Sequence, residues 1–159
     1  GMAIGNAVLT VSAQCAGAGD YEQVKYYAKK LHIIIYGLMI VCCLGVIAAL
    51  PAVLHVYSLS AEATAMTEDI IVYHGICCMI IWPIAFTLPN VLRASNDVAF
   101  CMILSILSMW ICRIGMSYVL GVRMGFGVFG VWVAMTMDWV VRAIFFVIRY
   151  RSGKWQHQM

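Results

Sequence analysis

Four ionisable side chains lie inside long apolar runs of this sequence, where a charged group needs a partner. They are His74, Arg113 in the stretch MWICRIGMSY, and Asp138 and Arg142 in the stretch MDWVVR. Asp138 and Arg142 are four residues apart, so on a helix they share one face and can form an ion pair. Such a pair can respond to a proton or a small cation. His74 can relay or sense protons, since histidine changes charge near neutral pH.

Arg113 belongs to the apolar stretch before Asp138, and the short connection at 121–125 makes the two stretches antiparallel. Counted from that connection at about 1.5 Å per residue, Arg113 lies about 12 Å deep and Asp138 about 20 Å deep. An arginine side chain can bridge much of this offset, so we predict an Arg113–Asp138–Arg142 cluster facing the bundle core. The alternative is a purely structural ion cluster. For His74 the alternative is a simple hydrogen bond to a neighbouring group.

The composition places these residues in a membrane. Of the 159 residues, 64% are hydrophobic and 11% are charged, whereas a soluble domain is about 45–50% apolar and about 25% charged. The chain has too little polar surface to cover itself in water, so we predict an all-α, polytopic integral membrane protein. Its surroundings are a lipid bilayer, and the net charge of +3 gives no reason to expect nucleic acid as a partner.

Four stretches are long enough to cross about 30 Å of hydrocarbon as helices. They are 31–57, which contains Pro51, then 70–88, 98–121 and 126–148. The first helix, 1–17, is about 25 Å long and falls short of a span. All 159 residues are expected to form one bundle, without an internal repeat.

Lysine and arginine indicate the orientation. Seven basic residues lie in the connections 18–30 and 89–97 and in the tail 149–159, against Arg123 alone in the alternate connections. We therefore expect these three segments, and the C-terminus, in the cytoplasm. The first helix would then begin inside the membrane from the external side, which predicts a C-terminal fragment of a larger transporter-like protein.

No enzymatic constellation is present. The sequence GAGD at 17–20 matches the GxGD of intramembrane aspartyl proteases, but that chemistry needs a second facing aspartate, and Asp20 lies at the water interface. There is no HExxH motif and no phosphate-binding loop. The seven cysteines form no CxxC pair, so neither a disulfide framework nor a zinc site is expected. We predict no catalytic residue, no metal and no cofactor.

The polar stretch LPNVLRASND, 88–97, reads chiefly as a cytoplasmic turn followed by a helix start. Asn96 or Asp97 can cap the next helix by accepting backbone N–H groups. Arg93 and Asp97 can pair across the turn, which contributes about 0–1 kcal/mol if the pair is exposed. Glycines at 17 and 19 are expected to end the first helix.

Several stretches together resemble the multidrug and toxic compound extrusion (MATE) family. They are AQCAGAGDYEQVKYYAKK, LPNVLRASND, SMWICRIGMSYVLG and GFGVFGVWVAMTMDWVVRAIFFVIRYRSGKW. The resemblance covers the C-terminal third of such a transporter. It implies twelve helices in two six-helix lobes around a central cavity, with this chain supplying the truncated eighth helix to the twelfth. It also implies export of drugs and organic cations in exchange for Na⁺ or H⁺, in the bacterial inner membrane.

The resemblance carries over to individual positions. Those that match the family pattern are Gln14, Asn90, Arg93, Asp97, Trp110, Arg113 and Gly130. Asn90, Arg93 and Asp97 are then candidates for a cytoplasmic gate, while Gln14, Gly17 and Gly130 are candidates for helix packing. The stretch that resembles the tenth helix, 70–88, contains no acid, so the coupling acid is either Asp138 or a residue of the N-terminal lobe.

Two other functions stay open. A lipid-linked oligosaccharide flippase of similar architecture would need a strongly cationic cavity, for which Arg113 and Arg142 are available. A non-transporting subunit or fragment is the third possibility, because four spans form only about half a cavity. The expected partners are the missing N-terminal lobe and small, often cationic, compounds.

Overall fold

The fold is a bundle of α-helices, described for residues 1–57 and 60–157 of a computed structural model. The helices are α1 (Met2–Gly17), α2 (Tyr21–Tyr57), α3 (Ala61–Ile80), α4 (Trp82–Ala94), α5 (Val98–Ser108), α6 (Met116–Tyr118) and α7 (Gly127–Arg151). Four helical segments are long and apolar enough to cross a membrane: Tyr21–Tyr57, Ala61–Ala94, Val98–Arg123 and Gly127–Arg151. The predicted all-helical membrane class is confirmed, and no strand occurs in the described ranges.

The second helix begins much earlier than predicted. The expected loop 18–30 is reduced to residues 18–20, because the Asp20 carboxylate accepts a hydrogen bond of 3.0 Å from the Gln23 backbone N–H and so starts α2. Val24 and Ala28 are buried on the inner face of the added turns. Hydropathy indicated only where the apolar part of α2 begins, near residue 31. The helix itself starts ten residues earlier, at the level of the membrane–water interface. Gly19, at φ +76°, adopts the left-handed conformation that ends α1 as predicted.

The span predicted at 70–88 is two helices that meet at Ile81. Ser60 caps α3 by accepting from the Ala63 backbone N–H at 3.3 Å, so α3 starts well before residue 70. Pro83 lies in the first turn of α4, where its missing N–H costs little, which explains why the break occurs there. The turn predicted at 89–97 is also shorter: α4 runs through the buried Pro89 to Ala94.

The span predicted at 98–121 is α-helical only in its first part. A π-helical segment, Met109–Gly115, follows α5, and a second one, Val119–Arg123, follows the single turn of α6. In the second segment the Met124 N–H donates to the Val119 carbonyl at 2.9 Å, the five-residue spacing of a π-helix. Segments of this kind are rare and frequently occur at functional sites.

The last span is α7, which extends to Arg151 rather than ending at 148. The chain then reverses at Gly153, φ +69°, and forms a short 3₁₀ turn, Lys154–His157. The segment predicted as a cytoplasmic tail, 149–159, is helical to Arg151, and its Trp155 packs back into the bundle and is fully buried. Residues 158 and 159 of that tail, like 58 and 59 of the predicted external loop, lie outside the described part of the chain.

The centre of the bundle is α4, which packs against α1, α2, α3, α5 and α7. Two buried clusters surround it. The first joins α1, α2, α4, α5, α7 and Trp155, while the second joins Cys77, Cys78, Ala85 and Trp139. This packing fixes the rotation of α7 about its axis and so determines which of its polar side chains point inward.

Candidate functional site

The Asp138 carboxylate on α7 is a fully buried acid. It is 0% exposed, and its Oδ1 lies 2.9 Å from the Nε atom of Arg142, one turn along the same helix. The predicted Asp138–Arg142 pair is therefore present. Both groups lie inside a span, where an ionised side chain needs such a partner.

Two serines of α5 complete this site. The Ser108 hydroxyl donates to Oδ1 of Asp138, and the Nη2 atom of Arg142 donates to the Ser105 carbonyl oxygen at 3.1 Å. The other carboxylate oxygen, Oδ2 of Asp138, is buried and has no hydrogen-bond partner among the described residues. A buried acceptor left unpaired is costly, so this oxygen has hydrogen-bonding capacity that Arg142 and Ser108 do not use.

Arg113 is not part of the pair. The predicted three-residue cluster is wrong, because in the described ranges the Arg113 guanidinium makes no ion pair or hydrogen bond with Asp138. The residue is half-buried in the π-helical segment Met109–Gly115, and Ser117 donates to its backbone carbonyl. The sequence-based depths assumed a regular helix of about 1.5 Å per residue, and the π-helical turns change both the rise and the facing of Arg113.

His74 lies on α3, away from the ion pair but connected to it by aromatic rings. Its ring packs against Trp132 and Trp139, with centroids 4.8 Å and 5.4 Å apart. Trp139 in turn meets Phe86 at 5.7 Å, and the Arg142 guanidinium lies 5.8 Å from the Phe86 ring. The Nε2 atom of His74 lies 3.3 Å from the Cys78 sulfur, whereas Nδ1 is buried and has no partner in the described part of the chain.

The cytoplasmic-turn candidates are arranged differently from the prediction. Asp97 pairs with Arg149 of α7 through two hydrogen bonds of 2.6 Å and 3.0 Å, instead of with Arg93. Asp97 does occupy the capping position of α5, but its side chain makes no capping hydrogen bond because both oxygens serve Arg149. Arg93 is exposed and donates only a long 3.4 Å bond to Asn90.

Asn90 joins two helices. Its side-chain amide donates to the Gly5 carbonyl of α1 at 2.9 Å, and it lines an open cavity of about 350 Å³ between α1 and α4. The other lining residues are Gly1, Met2, Gly5, Asn6, Trp82, Phe86 and Thr87. The Thr87 hydroxyl is buried and has no partner in the described structure. In this cavity α1 and α4 both contribute polar side chains, Asn6 from α1 and Thr87 and Asn90 from α4.

Of the three residues predicted to pack helices together, Gly130 lies at a close helix contact, whereas Gln14 and Gly17 do not. A Cβ atom at Gly130 would lie 2.9 Å from the backbone carbon of Leu120, so glycine is required for α7 to approach the preceding helix. Gln14 is exposed, and no atom lies within 4 Å of a Cβ at Gly17. Neither residue therefore packs against another helix within the described chain.

Sequence reasoning missed Ser105, Ser108 and Arg149, which lie with three predicted residues along one line between α5 and α7. Three contacts form it: Asp97 with Arg149, Ser105 with Arg142, and Ser108 with Asp138. We call this line the α5–α7 seam. A signal for it exists, because Asp138, Arg142 and Arg149 are spaced four and seven apart and so share a helix face, as do Asp97, Ser105 and Ser108.

Comparison with known proteins decides the family. The family model described as MatE matches residues 1–119, about three quarters of the chain. The chain belongs to the MatE family. The predicted resemblance is thereby confirmed.

Individual relatives agree with this assignment. A curated protein of Bacillus subtilis (strain 168), named uncharacterized transporter YisQ, is 36% identical over 66 residues, which is 42% of this chain and 14% of YisQ. A crystal structure of the eukaryotic MATE transporter AtDTX14 has the same fold, with a TM-score of 0.83 and 17% identity. The match covers 98% of this chain and 34% of AtDTX14, so this MatE chain spans about a third of the length of that transporter.

These matches make the protein a multi-pass membrane protein and support a transport function. They also associate the bundle with a larger transporter, as the resemblance implied. Within the described residues, no group of three or more His, Cys, Asp or Glu side chains is arranged to hold a metal ion.

Proposed function

We propose that these 159 residues form part of a secondary-active exporter that moves organic cations and drugs out of the cell in exchange for Na⁺ or H⁺. The carrying observation is Asp138: it is a completely buried acid within a span, and its Oδ2 atom has no partner. Buried ionisable groups inside membrane spans usually mark ion or substrate pathways. The family and the four spans supply the transport context.

The proposed coupling step is a competition for Asp138. In the described state Arg142 neutralises the carboxylate and also holds the Ser105 carbonyl of α5. A proton or Na⁺ that binds the Asp138 carboxylate neutralises its charge in place of Arg142. The contacts of Arg142 with the carboxylate and with the Ser105 carbonyl then weaken. Because the π-helical segment starts immediately after Ser108, the end of α5 is the part of the seam that can then rearrange.

The balance of charge favours an exporter over a lipid-linked oligosaccharide flippase. A flippase needs an excess of positive charge along its path. In the core of this bundle Asp138 balances the charge of Arg142. Arg113 is half-buried and has no acidic partner among the described residues, so it adds a single positive charge. The remaining basic residues lie near the ends of the spans.

Orientation is part of the proposal. The bundle brings the α1–α2 turn, the α4–α5 turn and the end of α7 to one side, where the first buried cluster contains Val24, Leu92 and Trp155. The basic residues of α2 and α7 lie on that same side, so we place it in the cytoplasm of a bacterial inner membrane. A green fluorescent protein fused to the C-terminus should fluoresce, and a dark fusion beside an active periplasmic alkaline phosphatase fusion would reverse the orientation.

The test uses the complete transporter that carries these residues, reconstituted in vesicles. Efflux of ethidium or norfloxacin is measured under an imposed Na⁺ gradient and, separately, an imposed pH gradient. We expect one of the two gradients to drive efflux, and Asp138→Asn to abolish the dependence on that gradient. Asp97→Asn, which removes the other buried acid–arginine pair, should keep it.

The outcomes separate the two parts of the proposal. Full, gradient-dependent efflux by Asp138→Asn would remove Asp138 from coupling and leave the exporter intact. No efflux under either gradient, with flipping of a labelled lipid-linked sugar instead, would overturn the exporter itself. Expression level and the fraction of protein in the vesicles are matched for all variants.

A further inference from the structure

A pocket near the basic end of the bundle has a mostly apolar lining to which lysine, histidine and tyrosine side chains also contribute. Its volume is about 350 Å³, and it lies between α2, α4 and α7. The lining residues are Lys25, Ala28, Lys29, His32, Leu88 and Tyr150. Lys25, Ala28, Lys29 and His32 follow one face of α2, at spacings of three and four residues. The pocket is separate from the α5–α7 seam.

Three of its polar groups have no partner. The Lys29 ammonium and the Tyr150 hydroxyl make no hydrogen bond or ion pair with any described residue. The Nδ1 atom of His32 lies 2.7 Å from the Ala28 carbonyl oxygen, which can only accept, so Nδ1 carries the hydrogen. The Nε2 atom of the same ring is buried without a partner.

The charge of the pocket is positive. The only acid that pairs with a lining residue in the described chain is Glu22, which lies 2.8 Å from Lys25 and is itself largely exposed. Lys29 has no acidic partner among the described residues, and its ammonium and the Tyr150 hydroxyl are the unpaired donors of the pocket lining. A phosphate group, with several acceptor oxygens, matches this set of donors.

The position of the pocket indicates where the phosphate comes from. The lysines lie on the first turns of α2, before its apolar stretch, which is the headgroup level of a spanning helix. Below them α2 presents exposed apolar side chains to the surroundings, among them Ile33, Ile34, Leu38 and Val41. A lipid placed with its phosphate at Lys29 would therefore have an apolar surface beside its acyl chains.

We propose that this pocket binds the phosphate group of an anionic phospholipid. Lys29 and Tyr150 contact the phosphate, while Lys25 remains paired with Glu22 at the edge of the pocket. This role concerns the attachment of the bundle to its membrane and does not depend on which compound the transporter exports.

The test compares two adjacent lysines in the 159-residue chain, purified in dodecylmaltoside micelles. Native mass spectrometry counts lipids bound during titration with dioctanoyl-phosphatidylglycerol, with dioctanoyl-phosphatidylcholine, or with inorganic phosphate. We expect a preference for phosphatidylglycerol that Lys29→Gln weakens about fivefold, the effect of about one lysine near a headgroup. Lys30→Gln is the matched control, because Lys30 lies over the Tyr26 ring and does not line the pocket; it should change binding by less than about twofold.

A second variant tests the pocket without changing its charge. Tyr150→Phe removes one hydroxyl and keeps the ring that stacks on Trp155; we expect weaker phosphatidylglycerol binding with unchanged helix content. Equal effects of Lys29→Gln and Lys30→Gln would show nonspecific surface charge and overturn the proposal. So would equal binding of the two lipids. Displacement of the lipid by inorganic phosphate at comparable concentration would identify a site for free phosphate and overturn the lipid assignment.

Discussion

At the scale of single residues, whether a charged side chain in a span is paired depends on its neighbours across the helix interface. Asp138 lies in the interior, where Arg142 and Ser108 satisfy one of its oxygens. Arg113 lies on the neighbouring span and has no such partner among the described residues. Arg142 and Arg113 therefore differ although both are arginines in apolar stretches, because among the described residues Arg142 meets an opposite charge and Arg113 does not.

The Asp138–Arg142 pair gives a stability prediction. Asp138→Ala leaves Arg142 as an uncompensated charge, so we expect the free energy of unfolding to fall by about 3–5 kcal/mol. The double variant Asp138→Leu/Arg142→Met removes both charges and should recover most of that loss. Unfolding in mixed detergent and dodecyl sulfate micelles, followed by far-ultraviolet circular dichroism, measures both. A double variant no more stable than Asp138→Ala would contradict the ion-pair explanation.

Asp97 pairs with Arg149 and not with Arg93, so substitutions of the two arginines should differ in their effect on stability. Arg149 donates two hydrogen bonds to Asp97 and also lies 4.9 Å from the Phe100 ring. Arg149→Gln should therefore lower the free energy of unfolding by about 1.5–3 kcal/mol. Arg93→Gln, at the position predicted from sequence to pair with Asp97, should change it by no more than about 0.5 kcal/mol. The same unfolding assay decides, and the reverse order of the two variants would restore the sequence-based pairing.

At the scale of helices, the approach of α7 to the preceding span depends on one glycine. A Cβ atom at Gly130 would lie 3.0 Å or less from backbone atoms of Leu120 and Gly121, and a backbone cannot move aside as a flexible side chain can. This close approach allows the α5–α7 seam to form. The seam then contains polar contacts at three levels, from Asp97 near one end to Asp138 in the interior.

We therefore expect Gly130→Ala to separate the two spans. Overpacking of this kind costs about 1–3 kcal/mol of unfolding free energy. Gly45→Ala is the matched control, since Gly45 also lies within a helix but has nothing within 4 Å of its Cβ position. The control should be as stable as the parent or more stable by up to about 1 kcal/mol. Equal behaviour of the two variants in the unfolding assay would show that the approach is not tight.

At the scale of the whole molecule, the end of the chain holds the basic side of the bundle together. Trp155 is 0% exposed; its indole N–H donates to the Tyr150 carbonyl at 2.8 Å, and its ring meets Tyr21 edge-on at 5.8 Å. The side chain therefore connects the end of α7 with the start of α2. This contact closes the same end at which Asp97 and Arg149 join α5 to α7.

Removal of this side chain should loosen that end. Trp155→Ala is expected to lower the free energy of unfolding by about 3–5 kcal/mol, the usual cost of truncating a buried tryptophan. It should also speed trypsin cleavage after Lys25 and Lys29, because α2 loses its contact with the tail. Lys154→Ala, at an exposed neighbouring position, is the control and should leave the protease sites near α2 unchanged. Cleavage at parental rates in Trp155→Ala would show that the tail does not hold α2.

Composition, run length and spacing within one helix already determined the membrane class, the positions of the spans and one ion pair. Composition determines a membrane bundle, because a chain this apolar cannot cover itself in water, and run lengths place the four spans near their observed centres. The Asp138–Arg142 pair was predictable because both residues lie on one helix, where spacing alone sets the distance. The MatE family was recognisable from the order of its stretches.

Only the tertiary structure decided the contacts between helices. Asp97 finds Arg149 at a separation of 52 residues, and Ser108 finds Asp138 at a separation of 30. Such pairs depend on how far each helix turns about its axis, which the packing of α4 and the close approach at Gly130 set together. The π-helical segments change the register of Arg113 in the same way, and Trp155 returns to the bundle because its ring finds a buried place between α2 and α7. Hydropathy and residue spacing describe one helix at a time, so they cannot predict how far each helix is rotated about its axis relative to its neighbours.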